Sequence, residues 1–180
     1  MNCYGGKELA ASFRTVRKNT IQTAEDIPEE KYSFRAAPDT RSVAEMLTHI
    51  AMANNFQEEV HARQRLNTLA GVNFPALMQA MAAEEKKPRS KAEIVALLRS
   101  KGDQWAAWLE TLDSSFLDES VAMPPGASPA SRSRFDMLLS VKEHEMHHRG
   151  QLMLIQRMIG VTPHLTRERQ ARTAQATAKA

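Results

Sequence analysis

Residues 135–159 read FDMLLSVKEHEMHHRGQLMLIQRMI, a segment with no proline and a single glycine. Its apolar residues recur at helical spacing, which predicts one long α-helix. At about 100° per residue, one narrow stripe of this helix is expected to face the core. The stripe consists of Met137, Val141, His144, His148, Leu152, Ile155 and Ile159.

Two histidines one turn apart therefore occupy core positions of this helix. Burying an imidazole ring is unfavourable unless its nitrogens find partners. The spacing of His144 and His148 lets both rings converge on one ion, as in helical HExxH sites, and a bound metal would remove the desolvation cost. The alternative is a pair of hydrogen-bonded core histidines.

A literal HExxH match also occurs, because residues 144–148 read HEMHH. We reject a zincin-like protease because Glu145 lies about 100° around the helix from His144 and no downstream third ligand is apparent. His147 lies about 60° from the direction of His144 and is predicted to flank the ligands, where it can hydrogen-bond to them.

The chain has 180 residues, enough for one domain with a substantial core. We predict that domain over residues 1–165, followed by a flexible tail over residues 166–180 with almost no large apolar side chain. The net charge of +3 is spread along the chain, so nucleic acid is an unlikely partner.

The single cysteine, Cys3, excludes an internal disulfide and a cysteine-based zinc cluster, so imidazole must carry any metal site. No apolar segment approaches the roughly 20 residues that span a bilayer, and no signal-peptide core is present. We therefore expect no membrane partner and a cytoplasmic location.

Helical periodicity and capping boxes predict the remaining helices. The principal ones cover residues 7–25, a segment from the Ser42 and Glu45 capping box to about Leu69, a segment from the Ser90 and Glu93 capping box to about Leu112, and residues 135–159. A short helix at 73–83, a polar linker at 84–89 and a long connection at 113–132 lie between them. The long connection is expected to shape a pocket mouth.

On the second helix, His49 shares the inward apolar face, whereas His61 is expected on the outer side with Glu58. Taken alone, His49 is more simply a core histidine. Gln151 and Asn54 are candidates to hydrogen-bond near the site, although Gln151 is equally consistent with a surface amide.

This patterning predicts an all-α protein, an up-and-down-type four-helix bundle with at least one long crossover. Metal sites in such bundles arise from inward side chains on facing helices. His49 on one helix and His144 with His148 on another fit that geometry.

Two stretches resemble the DinB-like family, also called DinB/YfiT. They are residues 34–50, FRAAPDTRSVAEMLTHI, and residues 143–152, EHEMHHRGQL, with RMIG at 157–160. The resemblance extends over about residues 7–165. It implies a four-helix bundle, often a homodimer, in which His49, His144 and His148 bind a divalent metal. Some similar proteins are thiol-dependent transferases, and one branch resembles maleylpyruvate isomerases.

Three neutral histidines leave a coordination position open, which is typical of a catalytic metal site. Our leading hypothesis is a metal-dependent transferase that joins a low-molecular-weight thiol to an electrophilic small-molecule substrate. Zinc or nickel is the expected metal, with manganese, iron or cobalt as alternatives.

Metal-assisted hydrolysis is the nearest alternative reaction. A second class of function is a non-catalytic metal-binding or stress-response protein, in which the ion fastens two helices together. A nucleic-acid-binding module is a third class, which the acidic residues interleaved along the helices disfavour.

Overall fold

The computed structural model describes residues 4–178, and helices make up most of that part of the chain. The four helices of the bundle are α1 (Gly6–Asp26), α2 (Val43–Met52), α5 (Lys91–Glu110) and α7 (Arg134–Met158). The other elements are a 3-10 turn (Glu29–Lys31), α3 (Asn54–Gln57), a π-helical turn (Glu58–Arg63), α4 (Phe74–Glu85), α6 (Ser114–Asp118), β1 (Ser120–Ala122), β2 (Ser131–Ser133) and α8 (His164–Thr177).

The predicted capping boxes start two of the bundle helices. The Ser42 side chain accepts from the Glu45 backbone N–H, and the Glu45 carboxylate accepts from the Ser42 N–H in return. Ser90 and Glu93 make the same reciprocal pair at the start of α5. Each box satisfies backbone donors that the first helical turn leaves free, so the sequence defines these starts locally.

Helices α1, α2, α5 and α7 pack as the predicted four-helix bundle, with α1 and α2 each in contact with both α5 and α7. Because α1 and α2 do not form a main contact pair, the chain crosses the bundle between them. Apolar side chains from all four helices close the core, and they include Phe13, Ile21, Leu47, Ile50, Leu98, Trp105, Leu138 and Leu152. The prediction of an all-α four-helix bundle with a crossover is confirmed.

The second predicted helix ends earlier than expected, at Arg63 rather than near Leu69. Its last turn is π-helical, and Arg65 then takes a positive φ of 46° as the chain leaves the bundle. Leu69 is buried in the following loop, where its backbone N–H donates to the Ala122 carbonyl at 2.8 Å. The residues predicted to form the last helical turns therefore form a loop instead. In that loop Leu69 packs in an apolar cluster with Val60, Val121 and Met137.

The outward placement of His61 is also wrong, since only 2% of this residue is exposed. The π-helical turn holds one residue more than an α-turn, so Val60 and the following His61 both turn inward. The His61 Nε2–H group donates to Gln57 Oε1 at 2.9 Å, and its Nδ1 accepts from Arg134 Nη1 at 2.8 Å.

The long connection before α7 contains regular structure that sequence periodicity did not reveal. After α6, strands β1 and β2 form an antiparallel hairpin in which Ser120 pairs with Ser133. Val121 is fully buried in this hairpin and packs with Val60, Leu69 and Met137. The hairpin therefore covers the N-terminal part of α7 and the π-helical turn at Val60.

The C-terminal segment forms helix α8, although we expected a flexible tail from residue 166. His164 is buried at its start, and Arg167 makes an ion pair with Asp26 at 2.7 Å. Beyond Arg167 the described side chains are exposed, and good helix formers such as alanine, arginine and glutamine account for the helix without packing. The flexibility of this segment stays a prediction. Among residues 4–178, no helix combines the length and apolar character needed to cross a bilayer.

Candidate metal centre

Three histidines from two facing helices of the bundle meet in one cluster. His49 comes from α2, and His144 and His148 come from successive turns of α7. His144 Nε2 lies 3.0 Å from His49 Nε2 and 3.1 Å from His148 Nε2. One nitrogen of each ring lies within 4.8 Å of the other two, so the structure brings together the three residues predicted as ligands.

The outer ring nitrogens show which way two of the lone pairs point. His49 Nδ1 lies 2.7 Å from Glu85 Oε1, and His148 Nδ1 lies 2.8 Å from Gln151 Oε1. Both partners are acceptors, so each Nδ1 carries the proton and donates it. The Nε2 lone pairs of His49 and His148 consequently face the centre of the cluster, the arrangement that hydrogen-bonded metal ligands adopt.

This donor set fits a metal ion better than a hydrogen-bonded core. His144 Nε2 can donate to one of its two neighbours at most, while its Nδ1 is buried without a partner among residues 4–178. Two nitrogens bound to one ion at about 2.1 Å lie roughly 3 to 3.4 Å apart, which is close to the spacing of the Nε2 atoms. A divalent ion would use lone pairs that otherwise face one another.

Burial keeps these imidazoles neutral. Desolvation lowers the pKa of His144 to about 4, and the repulsion that a protonated His144 would meet from other protonated histidines and from Arg41 acts in the same direction. Desolvation also lowers the pKa of His49, against the opposing effect of Glu85, and the pKa of His148, against that of Gln151. Near pH 7 all three rings therefore offer a free lone pair without prior loss of a proton.

Glu85 is the site residue that sequence reasoning missed, because it falls in the predicted polar linker. It is the last residue of α4, and Arg41 holds its other oxygen, with Arg41 Nε 2.6 Å from Glu85 Oε2. Burial alone would raise the pKa of Glu85, but its hydrogen bonds from Arg41 and His49 lower it overall. An ionised carboxylate thus orients the His49 ring.

Glu145 turns away from the cluster, as its helical angle predicted. Its carboxylate is 1% exposed and pairs with Arg17 of α1, with Arg17 Nη2 2.9 Å from Glu145 Oε2. Arg17 reaches it by passing close to Gly102, where an added Cβ would lie 2.8 Å from Arg17 Cγ. A zincin-like role for Glu145 is therefore excluded by its position and by its ion pair.

The other polar residues predicted near the site differ in placement. Gln151 Nε2 lies 3.2 Å from His147 Nε2, so Gln151 links the exposed His147 to His148. Asn54 is 1% exposed and its Oδ1 has no hydrogen-bond partner within the described chain, and no hydrogen bond joins it there to the three histidines. A supporting role for Asn54 stays a prediction.

Two cavities flank the histidine cluster. A cavity of about 380 Å³, bordered by α2, α3, α4 and α7, includes His49 and His144 in its wall. A cavity of about 750 Å³ on another side includes His148, Gln151 and Glu85. Across residues 4–178, the long connection at 113–132 contributes no lining residue to either, so our expectation that it shapes a pocket mouth is not met here.

The fold and the cluster place this protein in the class of helical bundles that have a candidate metal site between facing helices. The chain belongs to the DinB superfamily, whose sequence profile matches residues 12–152. That match includes all three clustered histidines.

Two similar proteins come from Bacillus subtilis. The protein YjoA of strain 168 is 23% identical over 155 residues, which are 86% of this chain and 91% of YjoA. The crystal structure of YjoA, a DinB-like protein, matches with a TM-score of 0.62 and covers 86% of this chain and 94% of YjoA at 22% identity. YfiT, described as a probable metal-dependent hydrolase with an unusual four-helix bundle topology, matches with a TM-score of 0.68 at 14% identity, covering 90% and 91% of the two chains. These likenesses establish the shared fold.

Proposed function

We propose that this chain is a metal-dependent transferase that joins a low-molecular-weight thiol to a small electrophilic substrate. The observation that carries the proposal is the convergence of three imidazole nitrogens within 4.8 Å of one another, beside two cavities. Three protein ligands leave room for a further ligand, as catalytic rather than structural sites do. A bound divalent metal would supply Lewis acidity, which lowers the pKa of a thiol or of water.

The residues of this chain would hold and orient the reactants. His49, His144 and His148 bind the ion, while Glu85 and Gln151 fix two of the rings through their Nδ1 atoms. In the reaction the thiol sulfur bonds to the electrophilic carbon, the leaving group departs with the bonding electrons, and the thiol proton passes to solvent. No protein base is needed, in agreement with the sequestration of Glu145 by Arg17.

A metal-dependent hydrolase is the second candidate, favoured by the likeness to YfiT. Water then takes the place of the thiol in the same site. The set of three imidazoles suits zinc or nickel, and it also accepts manganese, iron or cobalt.

A homodimer is part of the proposal. The outer face of α7 carries an apolar stripe of Met146, Leu154 and Met158, which are 44%, 61% and 52% exposed. Gly150 lies in the same stripe, and no atom of residues 4–178 outside its own helix turn lies within 4 Å of a Cβ built there, so a second helix can approach closely. An isologous contact between two α7 helices would bury this stripe.

Metal content tests the binding step. Elemental analysis of tag-free protein is expected to give about one divalent ion per chain, lost in His49→Ala and in His144→Ala. His164→Ala is the control, because His164 lies on α8 and is not part of the cluster. A wild-type protein that takes up no divalent metal even in excess would refute the site.

Turnover separates the candidates. Metal-loaded protein is incubated with an activated aryl halide or an activated ester, with and without a thiol such as glutathione. Loss of free thiol together with a thioether product supports the transferase, whereas thiol-independent ester cleavage supports the hydrolase. Metal binding without either product, with metal loss lowering only stability, would leave the non-catalytic metal-binding protein.

A further inference from the structure

We propose that the cavity beside His49 and His144 binds the uncharged aryl or alkyl group of the substrate. This inference rests on the proposed function and extends it, since it names the chemical class on which the metal site acts. The polar thiol or water would approach through the second cavity, beside His148 and Gln151.

The walls of the smaller cavity are apolar. Six of its lining residues are Phe56 of α3, Phe74, Leu77, Met78 and Met81 of α4, and Val141 of α7. No Lys, Arg, Asp or Glu residue lines this cavity within residues 4–178. A charged group entering it would lose part of its hydration without gaining a counter-ion, which is unfavourable.

The other polar side chains of this cavity already have partners. Gln57 Oε1 accepts from the Nε2–H group of His61 at 2.9 Å, and the Ser140 hydroxyl donates to the Met137 carbonyl at 2.6 Å. Apart from the amide NH2 group of Gln57, the imidazoles of His49 and His144 are therefore the polar groups that the described lining residues offer to a ligand. An apolar ligand in this space would end against the metal site.

Helix α4 forms the outer wall and has the composition expected of such a wall. It is rich in alanine and methionine, yet none of its residues is buried in the bundle core. Its C-terminal end is tied to the site by Glu85, and its Phe74 ring packs 5.6 Å from the Phe56 ring between their centroids. Methionine side chains adapt to ligands of different shape, so Met78 and Met81 suit a wall that accepts several apolar groups.

The second cavity has the opposite character. It is lined by charged side chains of both signs, including Arg35, Arg41, Glu45 and Lys86. A polar nucleophile can replace its hydrogen bonds to water with hydrogen bonds to these side chains. An aryl or alkyl group gains no such partner there. The two sides of the histidine cluster thus separate the apolar and polar reactants.

A binding experiment tests the inference independently of turnover. The probe is N-phenyl-1-naphthylamine, an uncharged aryl amine whose fluorescence rises in apolar surroundings, titrated into metal-loaded and metal-free full-length protein. We expect saturable binding that weakens at least tenfold in Met78→Glu. Ala80→Glu is the matched control, since Ala80 is exposed on the same helix and does not line the cavity, and it is expected to change the affinity less than twofold.

Met81→Trp fills the cavity without adding charge and is also expected to weaken binding at least tenfold, with circular dichroism confirming the fold. Absence of saturable binding, or an equal effect of Met78→Glu and Ala80→Glu, would overturn the inference. If probe binding follows these expectations while the protein holds no metal or turns over no substrate, the cavity stands and the proposed function fails. If Met78→Glu turns over aryl substrates with unchanged kcat/KM, the proposed function stands and the inference about the cavity fails.

Discussion

Glu85 Oε1 lies 2.7 Å from His49 Nδ1, although the two residues are 36 positions apart in the chain and belong to different helices. Arg41 binds the other carboxylate oxygen, so a chain of Arg41, Glu85 and His49 leads from the surface to the candidate metal site. Carboxylates placed in this way behind a histidine ligand fix its tautomer and raise its basicity.

The first prediction concerns this relationship. Glu85→Gln removes the carboxylate charge behind His49 and is expected to weaken metal affinity about 10- to 100-fold, measured by competition with a chromophoric chelator. Glu84→Gln is the matched control, because the neighbouring Glu84 pairs with Arg89 and Lys87 instead. Equal affinities in the wild type and Glu85→Gln would show that Glu85 does not support the ligand.

The second prediction separates stability from metal chemistry at Glu145. Glu145→Gln leaves the buried Arg17 guanidinium without its counter-ion and is expected to cost roughly 3–5 kcal/mol in the free energy of unfolding, measured with urea. Metal content should stay near the wild-type value. Glu143→Gln, at an exposed position of α7, is the control. Unchanged stability in Glu145→Gln would contradict the structural role assigned to its ion pair with Arg17.

The third prediction is a pH dependence that originates at His61. Burial, and then the charge of Arg134, lower the pKa of His61 to about 4 in the folded protein. The unfolded chain, with a pKa of about 6.5, binds more protons between these values, so stability falls as the pH drops from about 6.5 to about 4. The loss attributable to His61 is on the order of 3 kcal/mol.

His61→Gln keeps hydrogen-bonding capacity but does not titrate, so it is expected to flatten the plot of unfolding free energy against pH in this range. Both proteins are measured without metal, so that the three clustered histidines contribute equally to each plot. Parallel plots for the two proteins would contradict the assignment.

The fourth prediction concerns the apolar stripe on α7. Leu154→Arg places a charge where two copies would meet, and the dimer dissociation constant is expected to rise at least 30-fold, measured by sedimentation equilibrium. Met78→Arg is the control, because Met78 is similarly exposed, at 53%, on a different helix. A wild-type protein that is monomeric at high concentration would refute the dimer.

Much of the fold follows from local patterns. Ser42 and Ser90 start their helices through bonds within one turn, and the long α7 differs from its predicted range by one residue at each end. The errors arise where a local pattern is interrupted. The π-helical turn at Glu58–Arg63 shifts the inward face by one residue, which buries His61, and no apolar period announces such a turn.

The sequence by itself determined the i, i+4 histidine pair on a core-facing helix and the inward direction of His49, because helical geometry alone places side chains on faces. Tertiary structure decided the carboxylate behind His49, the pairing of Glu145 with Arg17, and the two cavities of different polarity. These features join residues that are distant in the chain. Their positions depend on how the helices cross and where loops return, and no local periodicity encodes those properties.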